Sequence, residues 1–244
     1  MRMLALYSIK GGVGKTASSV NLAAQAARAG NRVLLWDLDP QAATSFYLRT
    51  KPKVRGGVEK LVKGKADLDK VIRDTQVDNL DVLPAALASR DMDNLLAKRG
   101  NSHLRQILKP VRKDYDLVIL DCPPSLSHLS ENIFSSVDAL LVPVVPTTLS
   151  MRTLEQLRDF LDEQELPCTF WPFITLADRR RKLHVEMIDE MQNGWPLMLS
   201  TVIPAASAVE RMGVERAPLH TFAPRTTASR NYQALWNEIS QRLQ

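Results

Sequence analysis

Residues 10–16 read Lys10-Gly11-Gly12-Val13-Gly14-Lys15-Thr16, a glycine-rich stretch that contains two lysines. The apolar run before it, at residues 3–7, predicts a buried strand, and residues 17–27 predict a helix that ends near Gly30. Glycines let the backbone approach an anion closely, and successive N–H groups of such a turn point toward it. The stretch therefore predicts a nucleoside triphosphate site, with Lys15 on the β- and γ-phosphates and the Thr16 hydroxyl on Mg²⁺.

The loop departs from the ordinary phosphate loop at two positions. Ile9 stands where the usual first glycine would fall, and Lys10 is an additional lysine. In this it resembles the deviant Walker A loop of the ParA/MinD family of ATPases, in which the extra lysine reaches across a dimer interface to the partner's nucleotide. The resemblance implies a catalytic role for Lys10 and a nucleotide-binding role for Lys10, Gly11, Gly12, Val13, Gly14, Lys15, Thr16 and Ala17.

The composition is that of a globular protein with one core. The chain has 244 residues, of which 45% are hydrophobic and 24% charged, so residues 1–244 are expected to form a single P-loop ATPase domain. We see neither a signal peptide nor an apolar run of the ~20 residues that a membrane span needs, and we expect a cytoplasmic protein. The two cysteines and four histidines lack metal-ligand spacing. The net charge of +5 weakly favours a polyanionic partner such as DNA.

Apolar runs recur along the chain with helical stretches between them. Most of these runs are continuous rather than alternating, which is typical of a parallel sheet covered on both faces. The sequence therefore predicts a doubly wound α/β fold, mostly parallel, with helices on both faces and ligands at the carboxyl ends of the strands. Residues 50–64 are expected to form a mobile surface loop. The predicted strands are at residues 3–7, 33–36, 80–83, 117–120, 139–145, 169–174 and 199–203.

Two acidic motifs follow predicted strands. Asp37-Leu38-Asp39-Pro40-Gln41 resembles the switch I signature of ParA-type ATPases, and the resemblance implies that Asp39 positions the attacking water while Asp37 is more structural. Asp121-Cys122-Pro123-Pro124-Ser125 follows four apolar residues and resembles the switch II motif of the same family. A carboxylate at the end of a buried strand beside a phosphate loop is a Walker B arrangement, so Asp121 is predicted to hold Mg²⁺, directly or through water.

The C-terminal third also resembles ParA-like proteins. The segment Thr201-Val202-Ile203-Pro204 matches their strand and base-closing loop, which makes Pro204 a candidate for packing on adenine. Thr175 matches a position that contacts the base in relatives. The resemblance extends along the whole chain and is closest to the short, Soj-like partitioning proteins. It implies ATP and Mg²⁺ as cofactors.

Three functions agree with these motifs to different degrees. The first is a ParA-like ATPase that forms an ATP-dependent sandwich homodimer, binds DNA non-specifically and positions a plasmid, chromosome or other cargo on the nucleoid. Its slow hydrolysis would be stimulated by a ParB-like or other adaptor protein. The basic run at residues 179–182 is the alternative site of DNA contact. The DNA contacts predicted first are in the C-terminal part, at Arg211, Arg216, Arg225 and Arg230.

The second function is a MinD-like regulator that cycles on membranes through a C-terminal amphipathic helix. An apolar face does run along residues 232–243, but its polar face is not rich in lysine, so we expect it to dock on the protein's own core and expect no stable membrane association. The third is a metabolic or redox enzyme with the same loop. An iron–sulfur reductase needs paired cysteine ligands, and Cys122 and Cys168 do not suggest such a pair.

Overall fold

Seven strands form one sheet in the computed structural model, which describes residues 1–51, 57–85, 90–100 and 102–244. The sheet order is β3-β4-β2-β5-β1-β6-β7; β3 runs antiparallel to β4, and every other neighbouring pair is parallel. The predicted doubly wound, mostly parallel sheet is confirmed. The strands are β1 Arg2–Leu6, β2 Val33–Asp37, β3 Arg73–Asp74, β4 Leu80–Leu83, β5 Leu117–Asp121, β6 Ala139–Val144 and β7 Thr169–Ile174.

Helices cover both faces of the sheet. Side chains alternate along β1, so Met3, Ala5 and Tyr7 enter one apolar core while Leu4 and Leu6 enter the other. A short 3₁₀ turn spans Leu68–Lys70. The α-helices are α1 Lys15–Arg28, α2 Ala43–Tyr47, α3 Gly57–Val62, α4 Arg90–Leu96, α5 His103–Ile107, α6 His128–Ser136, α7 Thr148–Glu163, α8 Lys182–Gly194, α9 Ser207–Glu210, α10 Met212–Glu215, α11 Leu219–Phe222 and α12 Thr227–Arg242.

Helix α12 docks on the core, as its apolar face predicts. Tyr232, Leu235, Trp236 and Ile239 are all buried, and the Tyr232 hydroxyl lies 3.1 Å from the Ser18 hydroxyl on α1. The apolar face of the last helix is therefore already occupied within the chain. Across the described ranges, we find no helix with the length and apolar character that crossing a bilayer requires.

Two local predictions are wrong in part. Residues 199–203 form no regular strand, because the backbone N–H groups of Ser200 and Thr201 donate to the Glu238 carboxylate at 2.7 and 3.1 Å instead of to a neighbouring strand. The Leu199 and Ile203 N–H groups still donate to the Pro172 and Ile174 oxygens of β7, each at 2.8 Å, and an isolated parallel bridge joins Ala177 to Pro204. The predicted loop at residues 50–64 contains α3 in its second half, while residues 52–56 lie outside the described residues.

Candidate nucleotide and metal site

Strand register brings the predicted motifs to one edge of the sheet. β5 lies between β1 and β2, and Asp121 at its carboxyl end is in register with Leu6 on one side and with Asp37 on the other. Because all three strands are parallel, the loops that follow them begin at the same edge. The glycine-rich loop and both acidic motifs therefore meet there.

The loop after β1 has the backbone of an anion cradle. Gly12 and Gly14 have φ of +73° and +84°, a backbone region that residues other than glycine rarely occupy. Gly14 is the N-cap of α1, and no side chain caps the first N–H groups of this helix. A Cβ on Gly11 or Gly12 would meet no atom within 4 Å, so the outer side of the loop is open. Free N–H groups at a helix start beside open space suit a phosphate.

The two lysines of the loop occupy opposite environments. Lys15 is only 7% exposed, and its Nζ donates to the backbone oxygens of Ser8 at 3.4 Å and Lys10 at 3.2 Å. Burial lowers the pKa of the Lys15 ammonium, and the nearby Asp121 carboxylate opposes that change. Lys10 is exposed. Lys15 thus points into its own loop, whereas the Lys10 residue faces solvent.

Asp121 is fully buried among hydroxyl groups. Its Oδ1 accepts from Ser19 Oγ at 3.0 Å, its Oδ2 accepts from Thr44 Oγ1 at 2.7 Å, and the Thr16 side chain also bonds to it. Burial raises the pKa of Asp121, while these three hydroxyls favour the charged form. We did not predict Ser19 and Thr44. Ser19 lies four residues after Lys15, one helical turn along the same face, which is a signal that could have identified it.

The two aspartates of the switch I motif differ in their surroundings. Asp37 is buried, and its Oδ2 accepts from the backbone N and the Oγ of Ser45 at 2.9 and 2.8 Å. Burial and the Asp121 carboxylate raise the pKa of Asp37 to about 7. Asp39 is partly buried and accepts from the Gln41 backbone N at 2.9 Å. Asp37 thus fixes the start of α2, while Asp39 lies nearer the surface.

Thr175 directly follows β7, and Pro204 pairs with Ala177 through an isolated bridge. Thr175 is buried, its Oγ1 has no hydrogen-bond partner among the described residues, and a Cβ on Gly14 would lie 3.3 Å from that atom. Thr175 therefore contacts the phosphate loop itself. Pro204 lines a cleft of about 790 Å³ together with Asp178 and Ala206. Arg180 donates to both carboxylate oxygens of Asp178 at 2.9 Å.

A Mg²⁺–nucleotide fits these residues. The uncapped helix start, the open glycines and the buried Lys15 provide donors for phosphate oxygens. Asp121 and the hydroxyl of Thr16 supply hard oxygen ligands, which Mg²⁺ prefers. The orphaned Thr175 hydroxyl beside Gly14 is a further polar group without a partner among the described residues.

Sequence comparisons identify the relatives of this chain. An AAA domain family model matches residues 1–166. The sporulation initiation inhibitor protein Soj of Bacillus subtilis is 32% identical over 248 residues, covering 98% of both chains. The chain belongs to the ParA/MinD family of ATPases. The chromosome-partitioning ATPase Soj of Treponema pallidum is 30% identical over 249 residues and covers 98% of this chain and 96% of its own.

Solved structures of other proteins share the fold. Cobyrinic acid a,c-diamide synthase of Mycobacterium smegmatis, with a bound ATP analogue and magnesium, superposes with a TM-score of 0.82 at 26% identity, covering 100% of this chain and 96% of its own. The cell division ATPase MinD of Pyrococcus furiosus gives a TM-score of 0.79 at 23% identity, covering 99% of each chain. At that identity the likeness to MinD concerns the fold alone.

The arginines predicted to contact DNA fall into two groups in this ParA/MinD family member. Arg211 pairs with Glu215 at 2.6 Å, and the Arg216 guanidinium lies 4.7 Å from the centre of the Phe46 ring. Arg225 and Arg230 are exposed, and neither has a side-chain bond to another described residue. In the alternative basic run, Arg180 pairs with Asp178 and Lys182 with Glu186.

Proposed function

We propose that this ParA/MinD family ATPase hydrolyses ATP slowly in a Mg²⁺-dependent reaction, forms a sandwich homodimer with ATP, and binds DNA without sequence preference to position a cargo on the nucleoid. The observation that carries the proposal is the contrast between the two loop lysines. Lys15 is buried inside its own loop, whereas Lys10 is exposed beside the open glycines. An exposed lysine at this edge is free to reach a nucleotide held by a second copy.

The residues of the site have separate roles in binding phosphate, Mg²⁺ and the attacking water. Lys15 and the first N–H groups of α1 bind and orient the phosphates, and Thr16 and Asp121 hold Mg²⁺, which neutralises phosphate charge. Asp39 orients the attacking water from the surface side of the switch I loop. Intrinsic turnover is slow because one monomer lacks the partner's Lys10, so the charges that stabilise the transition state are incomplete.

DNA binding depends on the dimer. In the ATP-bound dimer, binding of one basic surface to DNA holds the second copy at a high effective concentration near the same DNA. Arg225 and Arg230 are the stronger candidates for phosphate contacts, since both are exposed and without a partner in the described part of the chain. Contacts of this kind carry no base readout and weaken steeply with salt. A ParB-like or other cargo adaptor then stimulates hydrolysis and releases the dimer.

The decisive experiment compares Lys10→Ala with the wild type. ATP binding is measured by calorimetry, dimer formation by light scattering with ATP and with ADP, and DNA retention by co-sedimentation. We expect Lys10→Ala to bind ATP normally but to lose the ATP dimer, most of the hydrolysis and the ATP-dependent DNA binding. A variant that dimerises and turns over like the wild type would remove Lys10 from this role.

A MinD-like membrane cycle is the second candidate, because MinD shares the fold at a TM-score of 0.79. The buried apolar face of α12 argues against it, since Leu235 and Ile239 are fully buried in the core. Co-sedimentation with anionic liposomes and ATP separates the two functions. We expect retention on DNA and none on liposomes; the reverse result would favour the membrane cycle.

A further inference from the structure

A basic cleft lies at the end of the sheet opposite the phosphate loop. It has a volume of about 640 Å³ and is lined by Met1, Arg105, Gln106, Lys109, Arg112 and Lys113. Met1 precedes the amino end of β1, whereas the phosphate loop follows the carboxyl end of the same strand. The cleft is therefore separate from the nucleotide site.

Most of its positive charge is not neutralised within the chain. Arg105 pairs with Asp138 at 3.0 Å. By contrast, the side chains of Lys109, Arg112 and Lys113 are exposed and make no hydrogen bond or ion pair with any residue in the described ranges. Of the nearby acids, Asp116 is paired with Arg32 at 2.7 Å. Unpaired cations around a concave surface favour an anionic ligand.

A second cleft shares a wall with the first. It has a volume of about 380 Å³, and Gln106 and Lys109 line both. Its remaining lining is mostly apolar, from Leu61, Ala66, Leu68, Ile107 and Pro110. Lys109 thus stands between a basic cleft and an apolar one. A ligand that fills both must carry negative charge and apolar side chains a few ångströms apart.

We propose that these two clefts form a docking site for an acidic, amphipathic peptide segment of a partner protein. Alternate side chains of such a segment satisfy both clefts: carboxylates meet Lys109, Arg112 and Lys113, and an aliphatic side chain enters the apolar cleft. Duplex DNA meets only the first requirement, because its backbone contacts are phosphates and sugars. The proposal does not depend on ATP, since the site lies at the far end of the sheet.

The test uses a fluorescein-labelled decapeptide that alternates Glu and Leu, followed by fluorescence anisotropy on the full chain. Two comparison probes are an all-Glu decapeptide and a decapeptide that alternates Lys and Leu. We expect saturable binding of the Glu-Leu peptide, at least about tenfold weaker binding of the all-Glu peptide, and none of the Lys-Leu peptide. Failure of the Glu-Leu peptide to bind at low salt would overturn the proposal.

Charge reversal locates the site. Lys109→Glu should weaken the Glu-Leu peptide about tenfold, because it replaces an attraction by a repulsion at the shared wall. Arg152→Glu, which reverses another exposed cation on α7, is the matched control and should change little. Equal effects of the two variants, or a Lys109→Glu variant that loses binding to a labelled duplex while keeping the peptide, would overturn the proposal. ATP binding serves as the check that each variant is folded.

Discussion

Residues 8–19 and residues 199–230 are held in place in opposite ways. Most bonds that fix the phosphate loop are local: Lys15 Nζ donates to the Ser8 oxygen and the Ser19 hydroxyl lies 3.0 Å from the Lys15 oxygen, while the Ser19 contact with Asp121 is the long-range one. The C-terminal segment is fixed from far away. Glu238 accepts the Ser200 N–H, and Asn21 accepts the Leu219 N–H at 2.9 Å across 198 residues. Local substitutions should therefore act on chemistry in the first region and on structure in the second.

The largest expected effect is on nucleotide binding. Lys15→Ala removes the cation that points into the loop, and charge-assisted bonds of this kind are worth about 1.5–3 kcal/mol each, so ATP affinity should fall at least about a hundredfold. Calorimetry with ATP measures it, with Lys65→Ala as the control because Lys65 is an exposed lysine away from the loop. Near-normal ATP affinity in the Lys15 variant would contradict the assignment of the loop.

The difference between the two regions also explains what could be predicted. The phosphate loop, Asp37 and Asp121 could be identified from short motifs, because each motif lies within a few residues of the apolar strand that places it. The helix face of α12 was predictable from its spacing. The irregular course of residues 199–203 was not, since it depends on Glu238, and neither was the Thr44 contact with Asp121, which joins residues 77 positions apart.

The second effect concerns pH. The pKa of Asp37 is raised to about 7 in the folded chain from an ordinary value near 3.8, so the folded state holds a proton that the unfolded state has released. This contribution to stability is present below about pH 4 and is lost as pH rises through about 7. Each unit of pKa difference is worth about 1.4 kcal/mol. The difference between the pKa of Asp37 in the folded and unfolded chain therefore limits its contribution to the unfolding free energy to about 4 kcal/mol.

Asp37→Asn removes that titration. Without nucleotide or Mg²⁺, urea unfolding at about pH 5 and about pH 8 should show the variant gaining stability relative to the wild type at the higher pH. The lost acceptor for the Asp39 N–H affects both pH values alike. Asp69→Asn, at an exposed position, is the control. A constant difference between Asp37→Asn and wild type across this range would show that Asp37 does not titrate there.

The third effect tests the distant anchor. Glu238→Ala leaves the Ser200 and Thr201 N–H groups and the Thr201 hydroxyl without their acceptor. We expect a loss of about 1–3 kcal/mol of unfolding free energy and faster amide exchange at residues 199–205, because polar groups that lose a partner carry a desolvation cost. Glu190→Ala, on the exposed face of α8, should be close to neutral. Unchanged exchange at Ser200 would mean that the segment is held by other contacts.

The smallest effect is expected at Thr175, which lies beside the phosphate loop. Its Oγ1 is buried beside Gly14 and has no partner among the described residues, so Thr175→Val removes no intramolecular bond and should change the unfolding free energy by less than about 1 kcal/mol. If that hydroxyl contacts the nucleotide, ATP affinity should fall about three- to tenfold, the value of one neutral hydrogen bond. Urea unfolding measures the change in stability, and calorimetry with ATP measures the change in affinity.

Thr44→Val is the informative comparison, because the Thr44 hydroxyl already bonds to Asp121 at 2.7 Å and its loss should lower stability without nucleotide. A Thr175→Val variant with full ATP affinity would make this hydroxyl an unpaired packing group rather than part of the nucleotide site.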